Sequence, residues 1–217
     1  MGDNSSPVNC QPSAGWRNAY WLVRHGHSKA NEQCLIVSSV ENGVKAEYSL
    51  TQQGRVQALN AARVLREQIR HRSTPRSTNV KIYCSPFSRT RETAEVIANE
   101  LGQPTLEVEP LHDLRERFFG GLELQNHGQY ADVWEADAQD ESTQPPGSGE
   151  SVAQVAQRLR SLLGRLEREH TGQHIALVSH GDVLSILAAV AHGADLRAHR
   201  GWGLPTGGLL CLGAPGG

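Results

Sequence analysis

No stretch of this 217-residue chain is apolar for long enough to cross a bilayer, and the polar start MGDNSSPVNCQPSAG lacks the hydrophobic core of a signal peptide. A membrane span is not expected, and a cytoplasmic setting is. An excess of charge of one sign is also missing. Lys+Arg of 21 against Asp+Glu of 23 leaves a net charge of −2, so no broad basic field exists to hold nucleic acid or an anionic membrane. Any anion must be recognised locally. Lysine is scarce, with only Lys29, Lys45 and Lys81; the remaining cations are arginines. The four cysteines, Cys10, Cys34, Cys84 and Cys211, form no C-x-x-C pair and have no zinc-type His spacing, which argues against a disulfide framework or structural metal. Reduced thiols, no metal and no cofactor are the expectation. Gly2 with Ser6 fits a loose acylation pattern, but Asp3 and the missing polybasic segment oppose it.

What is present is an alternation of strand-like and helix-like segments. Tyr20–Val23 is a short aromatic and β-branched run opening into Arg24-His25-Gly26. Thr51 can cap a helix in which Val56, Leu59, Ala62, Val64, Leu65 and Ile69 recur at mostly helical spacing to Arg70, where the polar stretch 71–79 ends it. Val80–Cys84 reads as a second strand, followed by a helix to Glu100 with Gly102 as its stop; Leu106–Val108 is a weak third strand. Residues 111–149 show no clear period and read as a lid or insertion. Ser151–Glu169 is an amphipathic helix, His174–Val178 a strand, Val183–Ala191 a buried helix and Leu209–Leu212 an edge strand. The pattern predicts an α/β three-layer sandwich, its mostly parallel central sheet flanked by helices. The expected organisation is a flexible tail over 1–18 and a single domain over 19–217.

Two segments echo each other: Val23-Arg24-His25-Gly26 and Val178-Ser179-His180-Gly181. Each sets a His at the C-terminal end of a buried strand before a Gly that allows a close turn, and ligands of open α/β sheets bind at that edge. Arg24 adjoins the first His, and Arg89 opens the helix after Val80–Cys84. Guanidinium forks suit phosphate, and nearby positive charge keeps an imidazole neutral and nucleophilic. The combination points to a phosphate pocket with a nitrogen nucleophile.

These residues resemble the histidine phosphatase superfamily, also described as phosphoglycerate mutase-like, over roughly residues 21–210. Its R-H-G-x-S-x-x-N signature corresponds to Arg24-His25-Gly26-His27-Ser28-Lys29-Ala30-Asn31, and its L-T-x-x-G-x-x-Q-A element to Leu50-Thr51-Gln52-Gln53-Gly54-Arg55-Val56-Gln57-Ala58. Ser85-Pro86-Phe87-Ser88-Arg89, Leu114-Arg115-Glu116-Arg117, Gly149-Glu150-Ser151 and Ser179-His180-Gly181 follow in the family's order. The resemblance implies that His25 takes the phosphoryl group, that Arg24, Arg89 and a protonated His180 surround the phosphate, and that Glu116 is the proton donor. Gly181, with Asn31 and Thr206 as further polar contacts, completes the expected substrate-binding set.

Motif style is closer to the fructose-bisphosphatase-like sugar phosphatases of the TIGAR type than to the cofactor-dependent mutases, since 122–141 contain no Lys or Arg to form a basic lid. Hydrolysis of a small phosphorylated metabolite is therefore expected, with mutase-type transfer as the alternative. The family's usual Glu-Gly after the acid motif is Glu123-Leu124 here, which leaves the lid geometry open. Rival chemistries fit less well. A thiol phosphatase built on Cys84 would need Arg at position 90, where Thr90 stands, and no H-E-x-x-H or equivalent zinc set exists. A non-catalytic binding module would be expected to have lost one of the five implied catalytic residues, and all five are present. No oligomeric state can be read.

Overall fold

Residues 15–72, 80–102 and 108–213 are described by the computed structural model. Most of the expected tail, residues 1–14, lies outside them. Strand β1 (Ala19–Arg24) leads through the single-turn helices α1 (Lys29–Glu32) and α2 (Val40–Gly43) into α3 (Gln52–Arg72). Then come β2 (Val80–Cys84), α4 (Ser88–Glu100), β3 (Glu109–Pro110), α5 (Tyr130–Gln139), α6 (Val152–Glu169), β4 (His174–Ser179), α7 (Gly181–Ala191) and β5 (Leu209–Leu212). The sheet order is β3-β2-β4-β1-β5. Its first four strands pair in parallel, and β5 closes the edge antiparallel to β1.

Strand alternation sorts side chains to two faces. Tyr20, Leu22, Ile175 and Leu177 pack with α6 and α7, whereas Trp21, Val23, Ile82, Ala176 and Val178 pack with α3 and α4. These are the three layers expected. Helix α6 forms because Ser151 and Gln154 make a reciprocal capping box and because Val152, Val155, Leu159, Leu162 and Leu166 share one buried stripe. Each buried Leu contributes about 1.5–3 kcal/mol of transfer free energy.

Three expectations change. The strand proposed over Leu106–Val108 falls partly on residues outside the described set, and the third strand is the pair Glu109–Pro110. The 111–149 segment is not wholly irregular: it contains 3-10 turns at His112–Leu114, Gly120–Leu122 and His127–Gln129 and the ten-residue helix α5. Only Val133 and Asp137 of α5 are buried, a stripe too narrow and too polar to give a readable period. Cys34 and Cys84 are free thiols, but Cys211 is disulfide-bonded, against the expectation of reduced thiols throughout. No helix among the described residues is long and apolar enough to cross a membrane.

Candidate active site

The C-terminal ends of β1, β2 and β4 meet at one edge, where the turn after β1 is held by backbone contacts. His25 N–H donates to Ser179 O at 3.0 Å, and Gly207 N–H to His25 O at 3.1 Å. The start of α3 lies directly against this turn, which explains the spacing of the second motif. Thr51 donates from its backbone N–H (3.0 Å) and hydroxyl (3.1 Å) to His27 O, and Gln57 Oε1 accepts from His27 N–H at 2.7 Å. Gly54 is needed for close approach: a Cβ there would sit 2.0 Å from His27 O, and one on Gly26 would sit 2.1 Å from Gly54 O. Thr93 of α4 holds the same loop by accepting from Gly26 N–H at 3.2 Å.

Within this frame the tautomer of His25 is fixed by its neighbours. Nδ1 lies 2.7 Å from Gly26 O, and Nε2 lies 3.1 Å from Nε of Arg89. A carbonyl can only accept and a guanidinium only donate, so the proton is on Nδ1 and the Nε2 lone pair faces Arg89. Burial first, then the charges of Arg89 and Arg24, hold the imidazole well below its ordinary value. His25 is thus a neutral, oriented nitrogen base.

Arg89 also donates through Nη2 to Val37 O and to Nδ1 of His180, each at 3.0 Å. Nε2 of His180 then donates to Ser85 Oγ at 2.8 Å. His180 is neutral in this arrangement, because burial and Arg89 push its pKa well below the usual range; the expected protonated form is corrected accordingly. Phe87 packs edge-on against the His180 ring at 4.9 Å and lies 4.9 Å beneath Cζ of Arg89. The motif reading does not single out Ser85, Phe87, Thr93 and Gln57 as site residues; Ser85, Phe87 and Gln57 lie inside quoted motifs, and Thr93 stands about one helical turn after Arg89.

Glu116 closes the group, with Oε2 at 3.5 Å from His180 Nδ1 and 3.8 Å from Arg89 Nη2. Its pKa is pushed up to about 7, chiefly by burial, with Asp182 adding to the rise against the opposing pull of Arg89. Arg24 lies on Gly181, where a Cβ would be 2.9 Å from its Cζ, and donates from Nη1 to Leu204 O at 2.6 Å. Buried Nε of Arg24 and Nη1 of Arg89 have no hydrogen-bond partner among the described residues. Two charged donors left unpaired in a buried site are costly unless an anion satisfies them.

The site opens into a cavity of about 200 Å³ whose walls include Arg24, Asn31, Glu116, Tyr130, Trp134 and Arg200. Asn31 both faces this space and caps α1, its Oδ1 accepting from Ser28 N–H and Oγ. Thr206 is not brought to the cavity wall; it is half-buried in the turn before Gly207. Behind the cavity, fully buried Arg117 forms a fork with Asp137 at 2.6 and 2.8 Å and reaches Asp182 at 3.2 Å. Burial opposes ionisation of Asp182, but its hydrogen bond from His199 and the charge of Arg117 hold it below the carboxylate range.

The Glu123-Leu124 departure also has a structural account. Glu123 accepts from the backbone N–H and hydroxyl groups of Ser38 and Ser39 and from Asn42 Nδ2 at 2.6–3.0 Å. Leu124, at φ 60°, adopts the left-handed conformation for which a glycine is suited. Cys84 lies buried in β2 with its thiol pushed up to about 12 by burial, unlike an activated nucleophile. Among the described residues, no group of His, Cys, Asp and Glu is placed to hold a metal ion.

The model of the histidine phosphatase superfamily (branch 1) matches residues 20–217. The chain is 30% identical over 173 residues to an adenosylcobalamin/alpha-ribazole phosphatase of Salmonella typhimurium, covering 78% of this chain and 77% of that one. It is 33% identical over 185 residues to a probable phosphoglycerate mutase of Photorhabdus laumondii, covering 83% and 77% respectively. Among solved structures, a mycobacterial glucosyl-3-phosphoglycerate phosphatase aligns at 25% identity with a TM-score of 0.70, covering 89% of this chain and 88% of that one.

Proposed function

The chain belongs to the histidine phosphatase superfamily and is a phosphoric monoester hydrolase; we propose that it cleaves a small phosphorylated metabolite through a phosphohistidine on His25, without a metal. The observation that carries this is a neutral His25, its Nε2 facing Nε of Arg89, beside two buried guanidinium nitrogens, Arg24 Nε and Arg89 Nη1, that have no hydrogen-bond partner among the described residues.

As substrate enters, Arg89 exchanges its bond to Nε2 for the phosphate oxygens, and Arg24 joins it. Two fixed positive charges then match a phosphate dianion and stabilise the charge spread over the equatorial oxygens. The Nε2–phosphorus bond forms as the phosphorus–ester oxygen bond breaks, and protonated Glu116 delivers its proton to that oxygen. In the second half, ionised Glu116 takes a proton from water, the water oxygen attacks phosphorus, and the Nε2–phosphorus bond breaks to leave inorganic phosphate. Neutral His180 holds Arg89 in register. It shares a proton with the phosphate only if the arriving dianion offsets the burial and Arg89 charge that keep it neutral.

The insertion 111–149 acts as the cover, since Glu116, Phe119, His127, Tyr130 and Trp134 all reach the cavity from it. It brings no Lys or Arg between 122 and 141 to retain a second phosphate, which favours hydrolysis over mutase transfer.

The test is turnover of p-nitrophenyl phosphate in EDTA by the wild type, His25→Ala and Glu116→Gln, with acid-quenched labelled substrate to capture the adduct. Loss of turnover in His25→Ala and an acid-labile, alkali-stable phosphoryl adduct in the wild type are expected. Equal turnover in all three proteins would defeat the reading.

A further inference from the structure

The wall of the same cavity carries a cation that the phosphoryl-transfer steps do not use. Cζ of Arg200 sits over the Trp134 ring, 3.6 Å from its centroid, and Trp134 in turn stacks on Tyr130 at 5.1 Å and 14°. Tyr130 and Trp134 stand four residues apart on α5, so the helix spacing itself builds the stack. The guanidinium is thereby braced mainly by an aromatic face.

Its single polar contact among the described residues is a bond of 3.4 Å from Nη1 to Asp182 Oδ1. That is the weakest claim on Asp182, whose Oδ1 is 3.2 Å from His199 Nε2 and whose Oδ2 is 3.2 Å from Arg117 Nη1. The remaining donors of Arg200 are uncommitted, and the side chain is 39% exposed. Arg24 and Arg200 line one cavity, and the charge of Arg200 acts on the Arg24 guanidinium.

We propose that Arg200, braced by Trp134, selects the leaving group by binding a carboxylate on it, so that the preferred substrates are small phosphorylated carboxylic acids. This rests on the phosphatase reading above and narrows its substrate. An oriented fork with free donors matches a carboxylate in two-point contact. Size agrees: about 200 Å³ lies below the roughly 300–1,000 Å³ of pockets that enclose drug-sized ligands, which suits a leaving group of a few carbons better than a nucleoside. Arg200 is therefore a specificity residue, separate from the groups that move the phosphoryl.

The experiment compares 3-phosphoglycerate with glycerol 3-phosphate, which have the same carbon count and differ in a carboxylate against a hydroxymethyl group, with p-nitrophenyl phosphate as the common control. In the wild type, kcat/KM should favour the carboxylate by about tenfold or more. Arg200→Gln should erase that preference, acting mainly through KM, while glycerol 3-phosphate and p-nitrophenyl phosphate change by less than about threefold. Trp134→Leu, which frees the guanidinium without removing its charge, should raise KM for 3-phosphoglycerate with kcat retained.

Absence of a carboxylate preference in the wild type, or an equal loss on all three substrates in Arg200→Gln, would overturn the proposal while leaving the phosphatase reading intact. Turnover of p-nitrophenyl phosphate with neither three-carbon ester hydrolysed would overturn it as well. Failure of the wild type on p-nitrophenyl phosphate would instead strike the underlying phosphatase reading, and this proposal with it.

Discussion

Glu116 and His25 need opposite protonation states, and burial supplies both, because it disfavours the charged form of either group. Glu116 keeps its proton up to about pH 7, whereas His25 is neutral from well below its ordinary value. A phosphate monoester is already dianionic above about pH 6, so kcat/KM for an alkyl ester should fall about tenfold per pH unit above 7. A pH profile checks this; a flat alkaline side would remove Glu116 from the acid role. Glu116→Gln should lower alkyl ester turnover by about 10²–10⁴-fold, and p-nitrophenyl phosphate turnover less, since nitrophenolate leaves without a proton. The same shift opposes folding. With the native pKa raised, the cost of ionising Glu116 is absent below the ordinary value of 4.5, grows as pH rises toward about 7, and is complete above it. Glu116→Gln should therefore stabilise the fold at pH 8, on the order of 3 kcal/mol, and not at pH 4. Denaturant midpoints at the two pH values measure it.

At the scale of elements, the catalytic turn is as rigid as its contact with α3. Gly54→Ala would drive a methyl group to 2.0 Å from His27 O, and backbone on both sides leaves nothing flexible to yield. A loss of about 1–3 kcal/mol is expected, with turnover reduced by about a hundredfold if the turn shifts by even an ångström; melting curves and p-nitrophenyl phosphate kinetics would show both. Leu124 presents the reverse case. Its left-handed backbone costs about 1–2 kcal/mol for an L residue, and its 43% exposure means that little packing is at stake. Leu124→Gly should stabilise by about 0.5–1 kcal/mol after the added unfolded-state entropy is counted, read as a higher denaturant midpoint with unchanged kinetics. The N–H that donates to Ile36 O is kept.

For the molecule as a whole, the cover over the site is tied to the core by charge. Asp137 of α5 forks onto Arg117, which also reaches Asp182 in the first turn of α7. Truncating one partner leaves a buried charge without full compensation. Asp137→Ala should thus cost about 3–5 kcal/mol and lower activity, by loosening α5 with Tyr130 and Trp134 on it. Chemical unfolding tests the first effect, and a mild change of under about 1 kcal/mol would show that the pair is solvated in practice.

The sequence by itself determined the layered α/β fold, the strand-end positions of His25 and His180 and the place of Arg89 at the start of α4, because strand and helix periodicities are local and the motif residues sit at fixed steps from their strand ends. It also held the spacing of Thr51, Gly54 and Gln57, although only their contacts with the 26–27 backbone showed why that spacing exists. Helix α5 was not legible: Val133 and Asp137 alone are buried, and one is a carboxylate whose burial depends on Arg117, twenty residues away. Likewise, the neutrality of His180, the raised pKa of Glu116 and the placing of Arg200 over Trp134 depend on burial and on neighbours far apart in the chain. Desolvation and charge coupling act through space, so only the folded arrangement could decide which groups carry protons and which cations line the cavity.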